Sequence, residues 1–297
     1  MPSGPPTASV GAVVVDYDAG PVLADCVASL RAEGVEDLVV VENGGAGGAG
    51  GALGSAGAAV AGTGDEAVAI VTPGRNLGYG AGANRGVAAL GDEELVLVCN
   101  PDLTVHRGAV GALVGALADE PAWAIVGPRL CNPDGTVYPS VRRFPSMADA
   151  AGHALVALFR PDNRFSRRYR PPDAGGEGRR PADWVSGACF LVRRSAWEEL
   201  GGFDEGYFMF AEDMDLCWRA HRAGWGVGVE PSARVTHAEG VSRRRHPYRM
   251  LVAHHRSAWR FARRTTTGWR RAALPLAAAV LAVRFALALV QRVLVRA

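Results

Sequence analysis

Short runs of apolar residues recur through the first hundred residues and predict strands that are buried on both faces. Four such runs lie at 9–17, 37–45, 67–73 and 94–102. Between the first two, Pro21 opens a segment whose apolar residues fall at helical spacing. Because strand, helix and strand follow one another so closely, we expect a βαβ unit and therefore a parallel sheet. Residues 44–64, almost entirely glycine and alanine, fit either a loop or a weak helix.

The second half of the chain has a less regular pattern. Strands are predicted within 124–140, around an Asn-Pro-Asp-Gly turn, and again near 226–237. Residues 184–203 predict a strand followed by a short helix that ends at Gly201. Residues 160–183 are rich in arginine, proline and glycine without periodicity, so we expect a mobile loop there.

The C-terminal stretch is helical and carries a continuous apolar stripe. From Leu276 to Leu294, apolar residues recur at alternating spacings of four and three. At ~1.5 Å per residue, 274–290 would be about 26 Å long, which is short of the ~30 Å hydrocarbon core, and Arg284 interrupts it. We therefore expect a helix that lies in the membrane interface. Packing on the body of the protein, or in the contact of a homodimer, is the alternative.

Charge divides the chain more sharply than its net value of +2 indicates. Residues 240–297 contain thirteen arginines and no acidic residue, so the part before them is acidic. We predict one domain at 1–245, with halves at 9–105 and 106–245, and a basic amphipathic helical extension at 246–297. Such an extension favours phosphate-bearing partners, namely lipid head groups, nucleic acid or phosphorylated substrates.

Polar residues follow three of the predicted strands, at the edge where open parallel sheets bind ligands. The three segments are Asp16-Tyr17-Asp18, Glu42-Asn43-Gly44 and Asn100-Pro101-Asp102. An aromatic ring can stack on a nucleobase, and a carboxylate can accept a hydrogen bond from the base. An acid just past a strand can hold a divalent cation. A second Asn-Pro-Asp, at 132–134, has no apolar run directly before it, so it predicts a turn.

A glycine-rich segment, GRNLGYGAGANRG at 74–86, follows the third predicted strand. Its spacing differs from the GxGxxG pattern of dinucleotide-binding proteins, and no such pattern follows the first strand. Glycines here would let backbone amides approach a phosphate, with Arg75 supplying positive charge. Asn84 has a polar side chain that could line the same cleft.

Five carboxylates surround an aromatic run at 203–215, in FDEGYFMFAEDMD. A helix dipole and an i,i+4 pair with Arg219 account for Asp215. They do not account for Glu212 and Asp213, which follow the aromatic run. A carboxylate against aromatic rings is partly desolvated, which raises its proton affinity toward that of a general base. His237, which ends the next predicted strand, is a metal ligand, a diphosphate donor or a structural histidine.

Six segments, in this order, resemble family 2 glycosyltransferases of the GT-A fold: VVENGG, RNLGYGAGANRG, VCNPD, VSGACFLVRR, GGFDEGYFMFAEDMDLCWR and VTHAEGVS. The resemblance covers roughly residues 9–245 and implies an α/β fold with a mostly parallel central sheet flanked by helices. Within the family the chain is most similar to the rhamnosyltransferase branch, because GPRLCNPDGTVYPSVRRFPS and LVAHHRSAWRF match its actinobacterial members. In that family 9–105 would bind the nucleotide and 106–245 the acceptor.

The resemblance implies an inverting enzyme that moves L-rhamnose from dTDP-rhamnose to a polyprenyl-diphosphate-linked N-acetylglucosamine in cell-wall linker synthesis. It also implies Mg²⁺ or Mn²⁺ as cofactor and peripheral contact with the cytoplasmic face of the plasma membrane. Asp213 would be the catalytic base, with Glu212 beside it, and Asp102 and His237 would hold the metal. The residues at the donor site would be Tyr17, Asp18, Glu42, Asn43, Arg75, Asn84, Asn100 and Gly187.

Three positions depart from the family's usual pattern. Asn100 replaces the first acid of an Asp-x-Asp metal motif, Glu42 stands where aspartate is usual, and Asp18 where asparagine is usual. The first departure bears on metal dependence and the other two on the choice of nucleobase.

Other classes of protein agree less well with the pattern. A nucleic-acid-binding module could use the arginines but would not need acids at three strand ends, so we expect no nucleic-acid partner. The missing fingerprint opposes a nicotinamide dehydrogenase. A family 2 enzyme with another donor sugar or a polysaccharide acceptor, or a non-catalytic sugar-nucleotide binder, stays open. Five scattered cysteines and an N-terminus without a secretory pattern favour a reducing, cytoplasmic setting.

Overall fold

The computed structural model describes residues 8–44, 60, 68–156, 160, 163–169, 176–238 and 247–294. Its strands are β1 (Val10–Asp16), β2 (Asp37–Glu42), β3 (Val68–Val71), β4 (Leu95–Cys99), β5 (Leu103–Val105), β6 (Trp123–Cys131), β7 (Val141–Arg142), β8 (Arg180–Pro181), β9 (Trp184–Val185), β10 (Cys189–Arg193) and β11 (Gly226–His237). Its α-helices are α1 (Val22–Ala32), α2 (Tyr79–Val87), α3 (Ala109–Asp119), α4 (Met147–Val156), α5 (Arg164–Tyr169), α6 (Arg194–Leu200), α7 (Glu212–Arg222), α8 (Pro247–Thr265) and α9 (Leu274–Leu294). Apart from Gly44 and Val60, the glycine- and alanine-rich stretch 44–64 lies outside the described residues.

The central sheet is mixed, with the order β3-β2-β1-β4-β10-β6-β11-β5 and with β8 paired to β11. The strands β3, β2, β1 and β4 are parallel neighbours, as the βαβ pattern predicts. Strand β10 lies antiparallel between β4 and β6, and β5 and β8 are antiparallel to β11. The α/β fold with a mostly parallel central sheet is confirmed.

The register of the parallel strands brings the predicted polar segments to one edge of the sheet. Asp16, at the end of β1, is the Cα partner of Glu42, at the end of β2. On the other side of β1, Val14 pairs with Cys99, the last residue of β4. Because β1 lies between β2 and β4, the residues that follow all three strands converge at the same edge.

Both faces of the sheet are covered, which explains why its strands are continuously apolar. Along β1, Ala12 and Val14 face the core that contains α1 and α3, whereas Val13 and Val15 face the core that contains α2, α6 and α7. Successive side chains of a strand point to opposite faces, so a strand with helices on both sides has no solvent-facing position.

The prediction of an irregular loop over 160–183 is wrong in part. Helix α5 and strand β8 fall within it. The helix begins because Asn163 caps it: its side-chain Oδ1 accepts hydrogen bonds from the backbone amides of Phe165 (2.9 Å) and Ser166 (3.0 Å). Asn163 thus defines the start of this helix. The charged composition of 160–183 gives no apolar periodicity from which the helix could be predicted.

Helix α8 is fastened to the body by ion pairs with buried or half-buried acids. Arg260 and Arg264 contact Asp204 at 2.8 and 3.0 Å, and Arg264 also lies 3.2 Å from the fully buried Asp215. Asp215 pairs with Arg219 at 2.7 Å as well, as the i,i+4 spacing predicts. Two arginines of the basic extension thus neutralise acidic residues of the preceding domain. The domain boundary predicted at residue 245 stays a prediction.

Helix α9 has one face against the protein and an exposed apolar stripe. On the inner face, Arg284 lies 3.0 Å from His255 Nε2 and Arg292 donates to the carbonyl of Pro247, both on α8. On the outer face Leu276, Val283 and Val290 are 69%, 51% and 54% exposed. The expectation that this segment is too short to cross a membrane is wrong on length. Within the described residues, 268–292 is the one helical stretch long and apolar enough to do so.

Candidate active site

A cavity of about 710 Å³ opens at the edge of the sheet where the polar strand ends converge. Its walls come from the ends of β1, β2 and β4, the glycine-rich loop before α2, the start of α7, and the helices α4, α8 and α9. A cavity of this size is in the range that binds small-molecule ligands and cofactors.

Asn43 holds the glycine-rich loop against the sheet. Its side-chain Nδ2 donates to the carbonyl of Gly78 at 2.9 Å, and its Oδ1 accepts from the amide of Leu77 at 2.9 Å. The side chain is buried, so both bonds are made away from water. Asn43 therefore fixes one wall of the cavity from the end of β2.

The loop before α7 is strained and is clamped in place. Phe210 and Ala211 both have positive φ values, of 69° and 65°, although neither is glycine. Each non-glycine residue in this backbone conformation lowers the stability of the protein by ~1–3 kcal/mol. Strain of this kind is characteristic of functional sites. Two hydrogen bonds oppose the strain: the amide of Tyr79 donates to the carbonyl of Phe208 (3.0 Å), and Ser257 Oγ donates to that of Met209 (2.8 Å).

A glycine makes this clamp possible. A Cβ atom on Gly78 would lie 2.1 Å from the carbonyl oxygen of Phe208, and Gly78 itself has a φ of 88°. No other residue could occupy this position without displacing the 208–211 loop. The glycine-rich segment therefore serves to bring two backbones together.

Glu212 and Asp213, which directly follow the strained residues, form the acidic wall of the cavity. Asp213 Oδ2 accepts from the amide of Gly187 and Oδ1 from the amide of Met214, both at 2.8 Å. Burial raises the pKa of Asp213, and these bonds oppose the rise. Burial and the neighbouring Asp213 raise the pKa of Glu212 to about 8, so Glu212 is protonated at neutral pH.

Gly187 and Tyr79 position the Asp213 carboxylate. A Cβ atom on Gly187 would lie only 3.1 Å from that of Asp213, so the glycine allows the close approach. Tyr79 Oη donates to the carbonyl of Gly187 at 2.5 Å and fixes that peptide. The free lone pairs of Asp213 can accept a proton from a ligand in the cavity.

Asp102 and His237 lie together at the other end of the strand edge. Asp102 Oδ1 lies 3.2 Å from His237 Nε2, and Asn100 Nδ2 lies 3.3 Å from the same nitrogen. The contact between Asp102 Oδ1 and His237 Nε2 does not have the geometry of a hydrogen bond. Within the described residues, this buried oxygen and Nδ1 of His237 therefore make no hydrogen bond. Oxygen and imidazole ligands suit a divalent cation such as Mg²⁺ or Mn²⁺.

The described residues contain no group of three or more histidine, cysteine or acidic side chains that could hold a metal ion. Asp102 and His237 would therefore supply a minority of a cation's ligands. A nucleotide diphosphate and water would have to supply the rest.

The cavity contains eight of the twelve predicted site residues: Tyr17, Asn43, Asn100, Asp102, Gly187, Glu212, Asp213 and His237. The other four, Asp18, Glu42, Arg75 and Asn84, do not line it. Eight residues from six separate segments are thus brought to one cavity. Their individual roles stay predictions.

The position of Asn84 corrects the expectation that it lines the cleft. Its Nδ2 donates to the carbonyl of Phe203 (2.9 Å) and its Oδ1 accepts from the Phe203 amide (2.9 Å), so it ties α2 to the 203–211 loop. Arg75 is exposed outside the lining. Asp18 and Glu42 flank Asp16, whose pKa burial and these two charges raise to about 6.

Sequence reasoning missed several lining residues. Asn76 and Tyr79 lie in the glycine-rich segment 74–86, and polar side chains between glycines are the signal that could identify them. Arg142 and Arg284 also line the cavity. Arg142 lies in the segment GPRLCNPDGTVYPSVRRFPS, whose resemblance to the family assigns it no role, and Arg284 lies in an apolar helix without a motif. Only the tertiary structure brings these two arginines to the site.

A mixed sheet with helices on both faces and a ligand cavity at its strand ends is the architecture of GT-A glycosyltransferases, and other α/β proteins share it. The sequence profile described as "Glycosyltransferase like family 2" matches residues 5–272. The chain therefore belongs to glycosyltransferase family 2 and is a glycosyltransferase.

Relatives and solved structures agree with this assignment. The N-acetylglucosaminyl-diphospho-decaprenol L-rhamnosyltransferase of Mycobacterium tuberculosis is 41% identical over 217 residues, which is 70% of each chain. The mannosyltransferase PcManGT of Pyrobaculum calidifontis, solved with GDP-Man and Mn²⁺, is similar with a TM-score of 0.56 and 16% identity. The match covers 95% of this chain and 75% of PcManGT.

GalNAc-T7, solved with UDP, GalNAc and Mn²⁺, has a TM-score of 0.58 at 14% identity. The match covers 78% of this chain and 43% of GalNAc-T7, so the chain spans less than half of that protein's length. At such identities these two likenesses establish the shared fold.

The raised pKa of Glu212 predicts a stability that falls as pH rises. With a pKa of about 8 when folded, and ~4.3 when unfolded, Glu212 retains a proton between these values that the unfolded chain has lost. Stabilisation by this group is complete below pH ~4.3 and is lost as pH rises toward 8. Glu212→Gln, which stays neutral, should therefore gain ~1–3 kcal/mol relative to the unsubstituted protein between pH 5 and 8.5. Urea denaturation at both pH values measures the gain.

Glu205→Gln is the matched control for this measurement, because Glu205 is exposed and lies outside the cavity. Its pH dependence should parallel that of the unsubstituted protein. Equal pH dependence of Glu212→Gln and Glu205→Gln would show that Glu212 is ionised in the folded protein at neutral pH.

Proposed function

We propose that this glycosyltransferase moves L-rhamnose from dTDP-rhamnose to a polyprenyl-diphosphate-linked N-acetylglucosamine, with inversion at the anomeric carbon. Identity of 41% to an N-acetylglucosaminyl-diphospho-decaprenol L-rhamnosyltransferase, over 70% of both chains, is the observation that carries the assignment of substrates. The cavity, with its acidic wall at Asp213, supports the assignment of the reaction.

The reaction requires one group to take a proton from the acceptor hydroxyl as that oxygen attacks the anomeric carbon. Asp213 is the proposed base, because it lines the cavity and is held by the amide of Gly187. Burial raises its pKa, which increases its affinity for the proton. Burial and the neighbouring Asp213 also raise the pKa of Glu212, so the two carboxyl groups share an environment that favours binding of a proton.

The nucleotide would bind at the strand ends, with Tyr17, Asn43 and Asn100 contacting the base, ribose or diphosphate. Asp102 and His237 are the proposed ligands of Mg²⁺ or Mn²⁺. When bound, the cation would neutralise charge on the diphosphate. Arg75 and Asn84 have no part in this proposal, because neither lines the cavity.

We also propose peripheral attachment to the cytoplasmic face of the plasma membrane, where a polyprenyl-linked acceptor resides. The exposed stripe of α9 is the contacting surface. An interfacial orientation suits α9 better than a spanning one, because Arg284 and Arg292 on its inner face are bonded to α8, which packs on the body. This attachment needs no second copy of the chain, and a homodimer is not part of the proposal.

Substitution of the proposed base tests the function. Asp213→Asn keeps the shape of the side chain and removes its ability to take a proton, so rhamnosyl transfer should fall at least ~100-fold. Binding of dTDP-rhamnose, measured by calorimetry, should stay within about threefold. Transfer is followed by mass spectrometry of a short polyprenyl-diphosphate N-acetylglucosamine acceptor.

Glu205→Gln, in the same acidic segment, is the control and should retain full transfer. If Asp213→Asn turns over at the rate of that control, Asp213 is not the base. If the unsubstituted enzyme leaves dTDP-rhamnose unused but consumes another nucleotide-sugar, the proposed donor is wrong.

The two Asn-Pro-Asp segments provide a test of the metal site. Manganese should add to the thermal stabilisation that dTDP produces, because a ligand that binds only the folded protein raises its Tm. Asp102→Asn should abolish the manganese increment and keep most of the effect of the nucleotide. Asp134→Asn alters the second segment, where Asp134 accepts hydrogen bonds from Thr136 in an exposed turn, and should keep the increment. An unchanged increment in Asp102→Asn removes that residue from the site.

Substitutions on the outer face of α9 test membrane attachment. Changing Leu276, Val283 and Val290 together to glutamine removes exposed apolar surface without touching the inner face. Because burial of such a side chain contributes ~1.5–3 kcal/mol, partitioning onto anionic vesicles should fall at least ~10-fold in a sedimentation assay. Val137→Gln, at another exposed apolar position, is the control and should bind as before. Unaltered partitioning of the triple variant would contradict attachment through this stripe.

A further inference from the structure

The cavity continues past the acidic wall to a basic end that the transfer reaction does not account for. There Arg249 and Met250 from α8, and Leu281 and Arg284 from α9, complete its lining. Arg142 also lines the cavity, close enough to Asp213 for its charge to oppose the rise in that residue's pKa that burial causes. One cavity therefore joins a carboxylate wall to a wall of arginine and apolar side chains.

Arg284 is a half-buried cation without an acidic partner among the described residues. It interrupts an otherwise apolar helix and points inward, with its Nη1 3.0 Å from Nε2 of His255. The other ring nitrogen of His255, Nδ1, lies 2.8 Å from the carbonyl of Leu251 and must donate to it, so Nε2 accepts and the imidazole is neutral. The positive charge of Arg284 is thus positioned by a neutral ring, and no acidic side chain in the described part of the chain pairs with it.

Removing a positive charge from water lowers the stability of the folded protein unless an anion pairs with that charge. An ionised group removed from water is stabilised mainly by a counter-ion with good hydrogen-bond geometry. Asp149 also lines the cavity, but its oxygens accept from Ser146 Oγ at 2.7 Å and from Arg168 at 3.4 Å. A guanidinium binds phosphate oxygens well, often through two parallel hydrogen bonds. A phosphate group of a ligand is therefore the natural partner.

We propose that Arg284 and Arg249 bind the diphosphate of the lipid-linked acceptor, with the sugar directed toward Asp213 and the isoprenoid chain leaving along α9. This inference rests on the proposed function, since it takes the acceptor class from there. The apolar Leu281 and Met250 beside the arginines suit the first isoprene units. The exposed stripe of the same helix continues this apolar path into the membrane.

This proposal assigns two anion sites to one cavity. The donor diphosphate would lie with Asp102 and His237 at the strand ends, and the acceptor diphosphate at α8 and α9. Helix α9 then has two tasks on opposite faces, membrane contact outside and recognition of the acceptor phosphate inside.

A pair of acceptors tests this assignment. The first is N-acetylglucosamine linked through diphosphate to a short isoprenoid, and the second is the same sugar linked to the same isoprenoid without phosphate. Assays use the full chain in a neutral detergent, so that no phospholipid head group is present. Arg284→Gln should raise KM for the diphosphate acceptor at least tenfold, because a charge-assisted contact is lost. Its kcat/KM for the phosphate-free acceptor and its KM for dTDP-rhamnose should change less than twofold.

Arg249→Gln provides the same test at an exposed position, where loss of folding is not a concern, and should raise the same KM at least threefold. Arg256→Gln is the matched control, because Arg256 is exposed on α8 and does not line this cavity. Its kinetics with both acceptors should equal those of the unsubstituted enzyme.

The outcomes distinguish this inference from the proposed function. If Arg249→Gln and Arg284→Gln affect both acceptors equally, or neither, the arginines do not recognise the diphosphate and the inference is overturned. If the unsubstituted enzyme glycosylates neither acceptor from dTDP-rhamnose, the proposed function itself fails. A KM effect confined to the diphosphate acceptor supports both.

Discussion

The proposed reaction depends on two adjacent carboxyl groups that the protein largely shields from water in the wall of a ligand cavity. Glu212 and Asp213 begin α7, and burial raises the pKa of both. The backbone amides of Gly187 and Met214 donate to Asp213 and position its carboxyl group. A base that must take a proton from an alcohol gains from this arrangement, because desolvation increases its proton affinity.

Much of the surrounding structure serves to maintain that arrangement. Phe210 and Ala211 adopt left-handed backbone conformations so that α7 starts with its acids facing inward. Gly78 lets the carbonyl of Phe208 approach the glycine-rich loop, and Asn43 holds that loop to the sheet. Helix α8 completes the clamp through Ser257. Helix α8 of the C-terminal extension therefore helps to build the cavity, in addition to supplying basic residues.

The arginines of the C-terminal extension have different roles. Arg260 and Arg264 neutralise Asp204 and Asp215 inside the protein. Arg284 lines the cavity from an apolar helix whose opposite face is exposed. With the lipid-linked acceptor that we propose, α9 would combine a surface that meets the bilayer with a polar site close by.

Local sequence determined the parallel strands, the polar residues at their ends and the acids after the aromatic run, because these features follow from period, strand register and chain order. The prediction that Asn84 lines the cleft is wrong because a polar side chain in a helix can face either a cleft or a neighbouring loop. Only the packing of the helix decides which of the two it faces. Tertiary structure alone brought Arg142, Arg249 and Arg284 to the cavity, since contacts between distant segments leave no local pattern. It also decided that α9 packs through its arginine face and exposes its apolar one.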